Sequence, residues 1–356
     1  MNRIALFLPN WIGDVVMATP AIRAVRERYP AAELTAVCKP YVADTLAGAP
    51  WFRETILFDK RGPKDQRLWP VARRLRRGGF DAALLFPNSF RAAALARLGG
   101  CREIVGFSRY GRSLLLTQRL HPKTDFWGRT VPIPIVDDYN RLALAIGTDE
   151  PGHRMELHTT PAGEAAANDA WNRFSLAKYP SVIGMNPGAA FGAAKHWPVE
   201  SFAALARMIT QRTGAAVVVL SGPSEREIAR KIADDSRSPH VFSLGDSPLS
   251  LAFTKSVVKR LDLLITTDSG PRHFAAAFDR PVLTLFGPTH IEWTETYFAK
   301  AVHIQKKVAC GPCQKRVCPL DHCCMRDLSP ETVFAAAQGL LAKFPLPLAG
   351  EVRRAA

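Results

Sequence analysis

Residues 261–289 restrict what this chain can fold into more than any other stretch. An apolar run, Leu261 to Ile265, meets a small polar turn, Thr266 to Gly270. Pro271 follows, then Phe274 to Phe278 as a compact apolar helix, then a second apolar run from Pro281 to Phe286 that ends at Gly287-Pro288-Thr289. Pro271 suits the first position of a helix, where its missing N–H would be unpaired anyway. Two short buried strands joined by a helix make a βαβ unit, and that unit belongs in a parallel sheet. The polar turn feeds a helix N-terminus, so it offers backbone N–H groups and a positive dipole end to an anion. Asp268, Ser269, Gly270 and His273 are the polar groups expected to bind a phosphate there. Their apolar neighbours are expected in the core.

The same logic opens the chain. Residues 3–8 read as a strand, Asn10-Trp-Ile-Gly-Asp14 as a turn, Val15 to Arg28 as a helix with Val16, Ala18, Ile22 and Val25 on one side, and Leu34 to Cys38 as a second strand. It recurs at Val182, where a strand stops at Asn186-Pro-Gly-Ala, a helix runs from Ser201 to Arg212, and a strand runs from Ala216 to Leu220. Between the two, Gly147 to Pro161 is rich in Pro, Gly, Thr, His and charge and reads as a linker. A chain of 356 residues is long enough for two cores. Two doubly wound α/β domains are expected, 1–155 and 156–345. The last helix, about 330–342, is free to pack back over the first, and 346–356 is a frayed tail.

The formal charge of +15 favours an anionic partner: nucleic acid, an acidic lipid surface or a phosphorylated substrate. Residues 60–79 carry eight basic residues and one acid, with Leu68, Val71, Ala72 and Leu75 placed inward if the stretch is helical. They read either as a solvated basic face or as a contact to an anionic surface. No apolar run approaches the length of about 18 residues that a membrane span needs. The first apolar run ends at Pro9, too short for a signal peptide, and reads as a first buried strand in a cytoplasmic protein.

Of seven cysteines, Cys38 and Cys101 stand alone as buried thiols. Cys310, Cys313, Cys318, Cys323 and Cys324 cluster with His322, and a long chain without a signal argues against a disulfide framework. The cluster has enough thiolates for one Zn²⁺, but its spacing is irregular, so reduced structural thiols or a redox-labile loop stand as the alternative. Lys306, Lys307, Lys315 and Arg316 would lower these thiol pKa values if they lie near enough.

Three single residues stand at addresses where α/β folds do chemistry. Asp14 follows Gly13 at the mouth of the first strand, as a general base for an attacking hydroxyl or as a cap for the next helix. Lys195 ends a loop of glycines and small residues that lets backbone approach a ligand, and it offers a point charge to phosphate or to solvent. Glu225 opens a helix after a strand, where it accepts ribose hydroxyls or complements the helix dipole.

Taken together, these motifs resemble the ADP-heptose:lipopolysaccharide heptosyltransferase family (glycosyltransferase family 9), over about residues 3–342. Thr267-Asp-Ser-Gly-Pro-Arg-His-Phe-Ala-Ala-Ala with Pro281 to Thr289 is similar to the family's D-[ST]-G-x-x-H-x-A-A signature. Pro9-Asn-Trp-Ile-Gly-Asp14 and the following residues to Arg23 resemble its G-D-x-x-x-x-x-P opening. Trp11-Ile-Gly-Asp14 and Cys-x-Pro-Cys-x-x-x-x-Cys-Pro are most like its heptosyltransferase II branch.

The resemblance implies a GT-B fold, two Rossmann-like domains facing a central cleft. The N-terminal domain would take the acceptor and the C-terminal domain the nucleotide sugar. It implies inverting transfer of a heptose from ADP-heptose to a heptose or Kdo of nascent lipopolysaccharide inner core. Asp14 with Gly13 then matches the base, Lys195 the phosphate lysine, Asp268, Ser269, Gly270 and His273 the donor signature, and Glu225 the ribose-binding acid within an offset of one or two residues. No cofactor is implied for catalysis, so a zinc at Cys310, Cys313, Cys318 and Cys323 would be structural. The chain departs from some members at Ala190 and Phe191, where they carry hydroxyls, and Arg272 adds charge beside the signature. The implied partners are ADP-heptose, an anionic lipid-linked core acceptor and the inner-leaflet surface, with the enzyme cytoplasmic and peripheral to the inner membrane. The alternatives are a same-fold transferase for another nucleotide sugar and a basic nucleic-acid-binding protein, and two nucleotide-fold halves argue against the last.

Overall fold

The computed structural model describes residues 1–344, and the expected tail at 346–356 lies outside them. Two units are present: Met1–His158 with Glu292–Tyr297, and Thr159–Ile291 with the chain from Phe298 on. The return of residues 292–297 to unit 1 has no signal in the sequence. It is made by Tyr297, whose hydroxyl donates to Asp137 Oδ2 (3.0 Å) and whose ring lies 4.3 Å from that of His153.

Unit 1 is built on β1 (Arg3–Phe7), β2 (Glu33–Cys38), β3 (Glu54–Leu57), β4 (Ala82–Leu85), β5 (Glu103–Phe107) and β6 (Gln118–Leu120). They form one sheet in the order β3-β2-β1-β4-β5-β6, parallel throughout. Helices cover both faces of such a sheet, so its central strands read as continuous apolar runs; β4 is buried at every residue. The helix Leu68–Gly78 presents Val71, Ala72 and Leu75 to this core, as its spacing predicts, and leaves Arg73, Arg74, Arg76 and Arg77 outside. Arg112 is fully buried, and its guanidinium donates to Phe107 O (2.8 Å), Pro87 O (2.5 Å) and Asn88 Oδ1 (2.8 Å). It thereby ties the carboxyl ends of β4 and β5 together.

Unit 2 repeats the winding with β7 (Val182–Asn186), β8 (Ala216–Val219), β9 (Val241–Ser243), β10 (Leu263–Thr267), β11 (Val282–Phe286) and β12 (Ala301–Gln305). The order is β12-β11-β10-β7-β8-β9, again all parallel. In each unit the order reverses beside the first strand, between β1 and β4 and between β7 and β10. Connections leave in opposite directions at such a point and open a crevice at the carboxyl edge.

Several local expectations shift. The helix expected over residues 15–28 breaks into Ile12–Met17 and Thr19–Arg28, because Pro20 has no N–H for the ladder and Thr19 Oγ1 bonds back to Val16 O (2.7 Å). Ser113–Leu115 form a 3₁₀ turn, and Leu116 after it is extended. Thr266 and Thr267, read as turn, belong to β10 and are fully buried; Thr266 Oγ1 accepts from Asn186 Nδ2 at the end of β7, and Thr267 Oγ1 donates to Gly188 O in the loop after it. The last helix, Pro330–Lys343, places Val333, Phe334, Ala337 and Leu340 in the unit 2 core with Phe202 and Leu205. Its apolar face is thus used within unit 2. Among the described residues no helix is long and apolar enough to cross a membrane.

Candidate active site

β7 and β10 lie side by side with Asn186 opposite Thr266. Their carboxyl ends release two turns, residues 187–195 and 268–270. Asn186 Nδ2 stands 3.0 Å from Thr266 Oγ1 and 2.9 Å from Ser269 Oγ, and Thr267 Oγ1 donates to Gly188 O at 2.7 Å. These bonds hold the glycine turn against the end of β10.

Lys195 comes in from the first turn. It is 8% exposed, and its Nζ donates to Asp268 Oδ2 at 2.5 Å and to Asp268 O at 3.1 Å. Thr289 Oγ1 donates to the same carboxylate oxygen at 2.8 Å, and Arg272 donates to Oδ1 at 3.3 Å. Burial alone would raise the Asp268 carboxyl. The charges of Lys195 and Arg272, with hydrogen bonds from Lys195 and Thr289, outweigh it and hold the group at about 2. Two cations therefore face one carboxylate. The Asp268 oxygens are occupied by Lys195, Arg272 and Thr289.

The ammonium of Lys195 also lies 4.8 Å over the Phe191 ring, with the Arg316 guanidinium 5.3 Å from the same ring. Phe191, a departure from the hydroxyl-bearing pattern, thus serves as a spacer between two cations. The loop is braced from behind by the cysteine-rich segment: Ala194 N–H donates to Arg316 O (3.0 Å), and His322 Nε2 lies 2.8 Å from Ala194 O.

Glu225 ends the 3₁₀ turn Pro223–Glu225, and its Oε2 accepts the Gly222 N–H at 2.9 Å. Its carboxyl fills the space beside Gly188: a Cβ there would sit 2.1 Å from both oxygens. Glu225 and the turn at Gly188 are therefore in direct apposition. Ser269 caps the helix Gly270–Ala277 from an extended backbone. His273, on that helix, is buried. Burial first, and then the Arg272 charge, push its pKa well below the usual histidine value, so the ring is neutral. Asn186 and Thr289 are site residues that sequence reasoning quoted only as turn residues. The available signal was their place as polar groups ending buried strands.

In unit 1, Gly13 and Asp14 occupy the first turn of the helix Ile12–Met17, directly after β1. Asp14 is half-buried, and its charge reaches the phenols of Tyr41 and Tyr139. Burial raises both pKa values first; Asp14 is the next cause at Tyr139, and at Tyr41 it follows Asp59. Tyr41 donates to Asn10 O. A cavity of about 510 Å³ opens at the carboxyl ends of β1, β2 and β4, with Lys39, Lys60, Arg61 and Arg91 on its wall. None of these four is in an ion pair among the described residues. Asp59, also on the wall, accepts the Arg61 N–H. Lys60 and Arg61 begin the basic stretch that the sequence singled out.

Cys38 and Cys101 are buried as expected, each thiol pushed up to about 12 chiefly by burial. The cluster behaves differently from expectation. Cys310, Cys313, Cys318 and Cys323 border a void of only about 20 Å³, and no three or more His, Cys, Asp or Glu side chains are arranged to hold a metal ion among the described residues. The geometry does not support the structural zinc. Cys310 is exposed, whereas the neighbouring Cys324 turns into the unit 2 core beside Met325. Nor do the nearby cations lower Cys324: burial, then the neighbouring thiols, push it up to about 11.

Residues 68–324 match the family model described as glycosyltransferase family 9 (heptosyltransferase). The chain is 26% identical to lipooligosaccharide heptosyltransferase 2 of Campylobacter jejuni, over 95% of this chain and 98% of that protein. It is 27% identical to lipopolysaccharide heptosyltransferase 2 of Escherichia coli K12, over 95% and 98%. The solved structure of E. coli ADP-heptose lps heptosyltransferase II superposes with a TM-score of 0.76 at 24% identity, covering 97% of this chain and all of that one. The two six-stranded units thus have the GT-B-like α/β fold.

Proposed function

The chain belongs to glycosyltransferase family 9 and is a glycosyltransferase; from that premise we propose that it moves a heptose from ADP-heptose to the inner core of a nascent lipopolysaccharide, at the cytoplasmic face of the inner membrane. The full-length similarity to two heptosyltransferases 2 supports the donor and the acceptor class. The observation that carries the chemistry is the buried Lys195–Asp268–Arg272 group where the strand order of unit 2 reverses. A departing diphosphate needs positive charge in a place with little water, and the Lys195 ammonium is placed to supply it.

In this reading Lys195 and the N–H groups at Ser269 and Gly270 receive the donor diphosphate. Asp268 does not touch it but positions Lys195, and His273 supports the turn from beneath. Glu225, pressed against Gly188, accepts the ribose hydroxyls. Unit 1 takes the acceptor, whose anionic groups suit Lys39, Lys60, Arg61 and Arg91. The acceptor oxygen forms a bond to the anomeric carbon as the bond from that carbon to the phosphate oxygen breaks. ADP leaves with the electron pair, the anomeric centre inverts, and Asp14 takes the hydroxyl proton.

Purified enzyme incubated with ADP-heptose and a truncated core acceptor should give product. Product from another nucleotide sugar but not from ADP-heptose would replace the heptose assignment with the second donor class. Asp14→Asn should abolish turnover and leave donor binding intact, and unchanged turnover would remove Asp14 as the base.

A further inference from the structure

Between β6 and the helix Ile135–Leu144, unit 1 projects a small hairpin of sequence His121-Pro-Lys-Thr-Asp-Phe-Trp-Gly-Arg-Thr130, closed by an antiparallel bridge between Thr124 and Thr130. Its tip is held by Asp125. The carboxylate oxygen Oδ1 accepts the N–H groups of Trp127 (2.9 Å) and Arg129 (2.8 Å). The Asp125 N–H donates to Arg129 O (2.8 Å), and Gly128, at φ 72°, donates to Asp125 O (3.0 Å). The turn is therefore stabilised by its backbone and one carboxylate, and it asks nothing of the aromatic side chains.

Those side chains point into water. Phe126 is 92% exposed and Trp127 77% exposed, in an edge-to-face pair with centroids 5.3 Å apart. Lys123 and Arg129 flank them, both exposed, and neither is in an ion pair among the described residues. A stiff polar turn that holds two large aromatics away from the fold, with a cation on each side, matches the headgroup layer of an anionic bilayer. There an aromatic body sits among acyl chains, the indole N–H stays wet, and the cations meet phosphates.

Resting on the reading of a lipid-linked acceptor, we propose that this hairpin is a membrane-interface anchor: Phe126 and Trp127 enter the headgroup–acyl boundary, and Lys123 and Arg129 pair with anionic headgroups. It holds unit 1 against the surface that carries the acceptor, in addition to any contact made by the basic helix Leu68–Gly78. The occupant is a bilayer rather than a second copy of the chain, because a like-charged copy with a net charge of +15 offers no complement to the flanking cations.

Flotation of the full chain with phosphatidylethanolamine–phosphatidylglycerol vesicles that contain no sugar acceptor tests this apart from the donor assignment. The wild type should float with these vesicles and much less with pure phosphatidylcholine. Phe126→Ser with Trp127→Ser should weaken binding by at least about tenfold, with thermal midpoint and turnover on a lipid-free acceptor unchanged. Lys123→Ser with Arg129→Ser should lower binding to the anionic vesicles alone. Aromatic variants that float like wild type would overturn the proposal, as would a wild type that floats with neither vesicle. A wild-type dimer in light scattering that the aromatic variant dissolves, with flotation unchanged, would reassign the tip to self-association.

Discussion

Lys195 Nζ stands 2.5 Å from Asp268 Oδ2, and both side chains are almost wholly out of water. The carboxyl is held at about 2, against an ordinary aspartate value of about 3.9 in an unfolded chain. A group whose folded value is depressed stabilises the fold fully above its unfolded value, and it loses that contribution as the pH falls toward the folded value. Asp268 should therefore contribute on the order of 2–3 kcal/mol at neutral pH, lost between about pH 4 and about pH 2. Denaturant titrations across that window should show the wild type losing stability. Asp268→Asn should be less stable at neutral pH and show a shallower acid decline. An identical acid decline in the variant would mean that Asp268 is not the group responsible.

The same pair predicts how Lys195 fails. Lys195→Ala removes the ammonium while Arg272 and Thr289 still hold Asp268, so the fold should survive and kcat/KM should fall by about 10²–10³-fold. Lys195→Arg keeps the charge but replaces a compact ammonium by a planar fork, so it should restore only part of the loss. Steady-state kinetics with calorimetry of ADP binding separates lost donor affinity from misfolding. An alanine variant with turnover and ADP affinity close to wild type would remove Lys195 from the donor site.

Gly188 and Glu225 offer a test of the ribose end. A methyl at 188 would stand 2.1 Å from both Glu225 oxygens, so Gly188→Ala must swing the acid away from the loop. Glu225 is partly exposed, and its side chain can move without opening the core. ADP affinity should drop by about tenfold, with little change in melting temperature. Glu225→Gln should show a smaller drop, since it keeps one acceptor. Equal ADP affinity in Gly188→Ala and wild type would mean that Glu225 makes no contact with the nucleotide.

The two sheets were legible because strands buried on both faces read as unbroken apolar runs, and because each began with the same strand, glycine turn and helix. The strands that escaped were β3, β6 and β12, Glu-Thr-Ile-Leu, Gln-Arg-Leu and Ala-Val-His-Ile-Gln, all at sheet edges where half-exposed residues dilute the apolar signal. Lys195, Asp268 and Glu225 were legible as addresses, since each follows a strand. Their pairing was not, because spacing along the chain does not report that Lys195 and Asp268, 73 residues apart, share one buried site. The same limit explains the zinc expectation. Cysteine spacing counts ligands, but it cannot say whether their side chains converge, and among the described residues no such convergence is present.

Arg112 left no mark in the sequence, yet it joins two connections at the carboxyl edge of unit 1. Fully buried, it supplies donors to Phe107 O, Pro87 O and Asn88 Oδ1, and burial lowers its pKa only to about 10, so it stays charged at neutral pH. Arg112→Met keeps the apolar stem but leaves three acceptors without that donor. It should cost about 3 kcal/mol, read as a lower melting transition for unit 1. Pro87 and the nearby Ser89 and Arg91 line the 510 Å³ cavity, so loosening their turn should also raise the acceptor KM. Donor affinity, assigned to unit 2 in the proposed function, should stay constant in calorimetry. A variant that weakens ADP binding as much as acceptor binding would show that Arg112 acts on the whole chain rather than through the Pro87 turn.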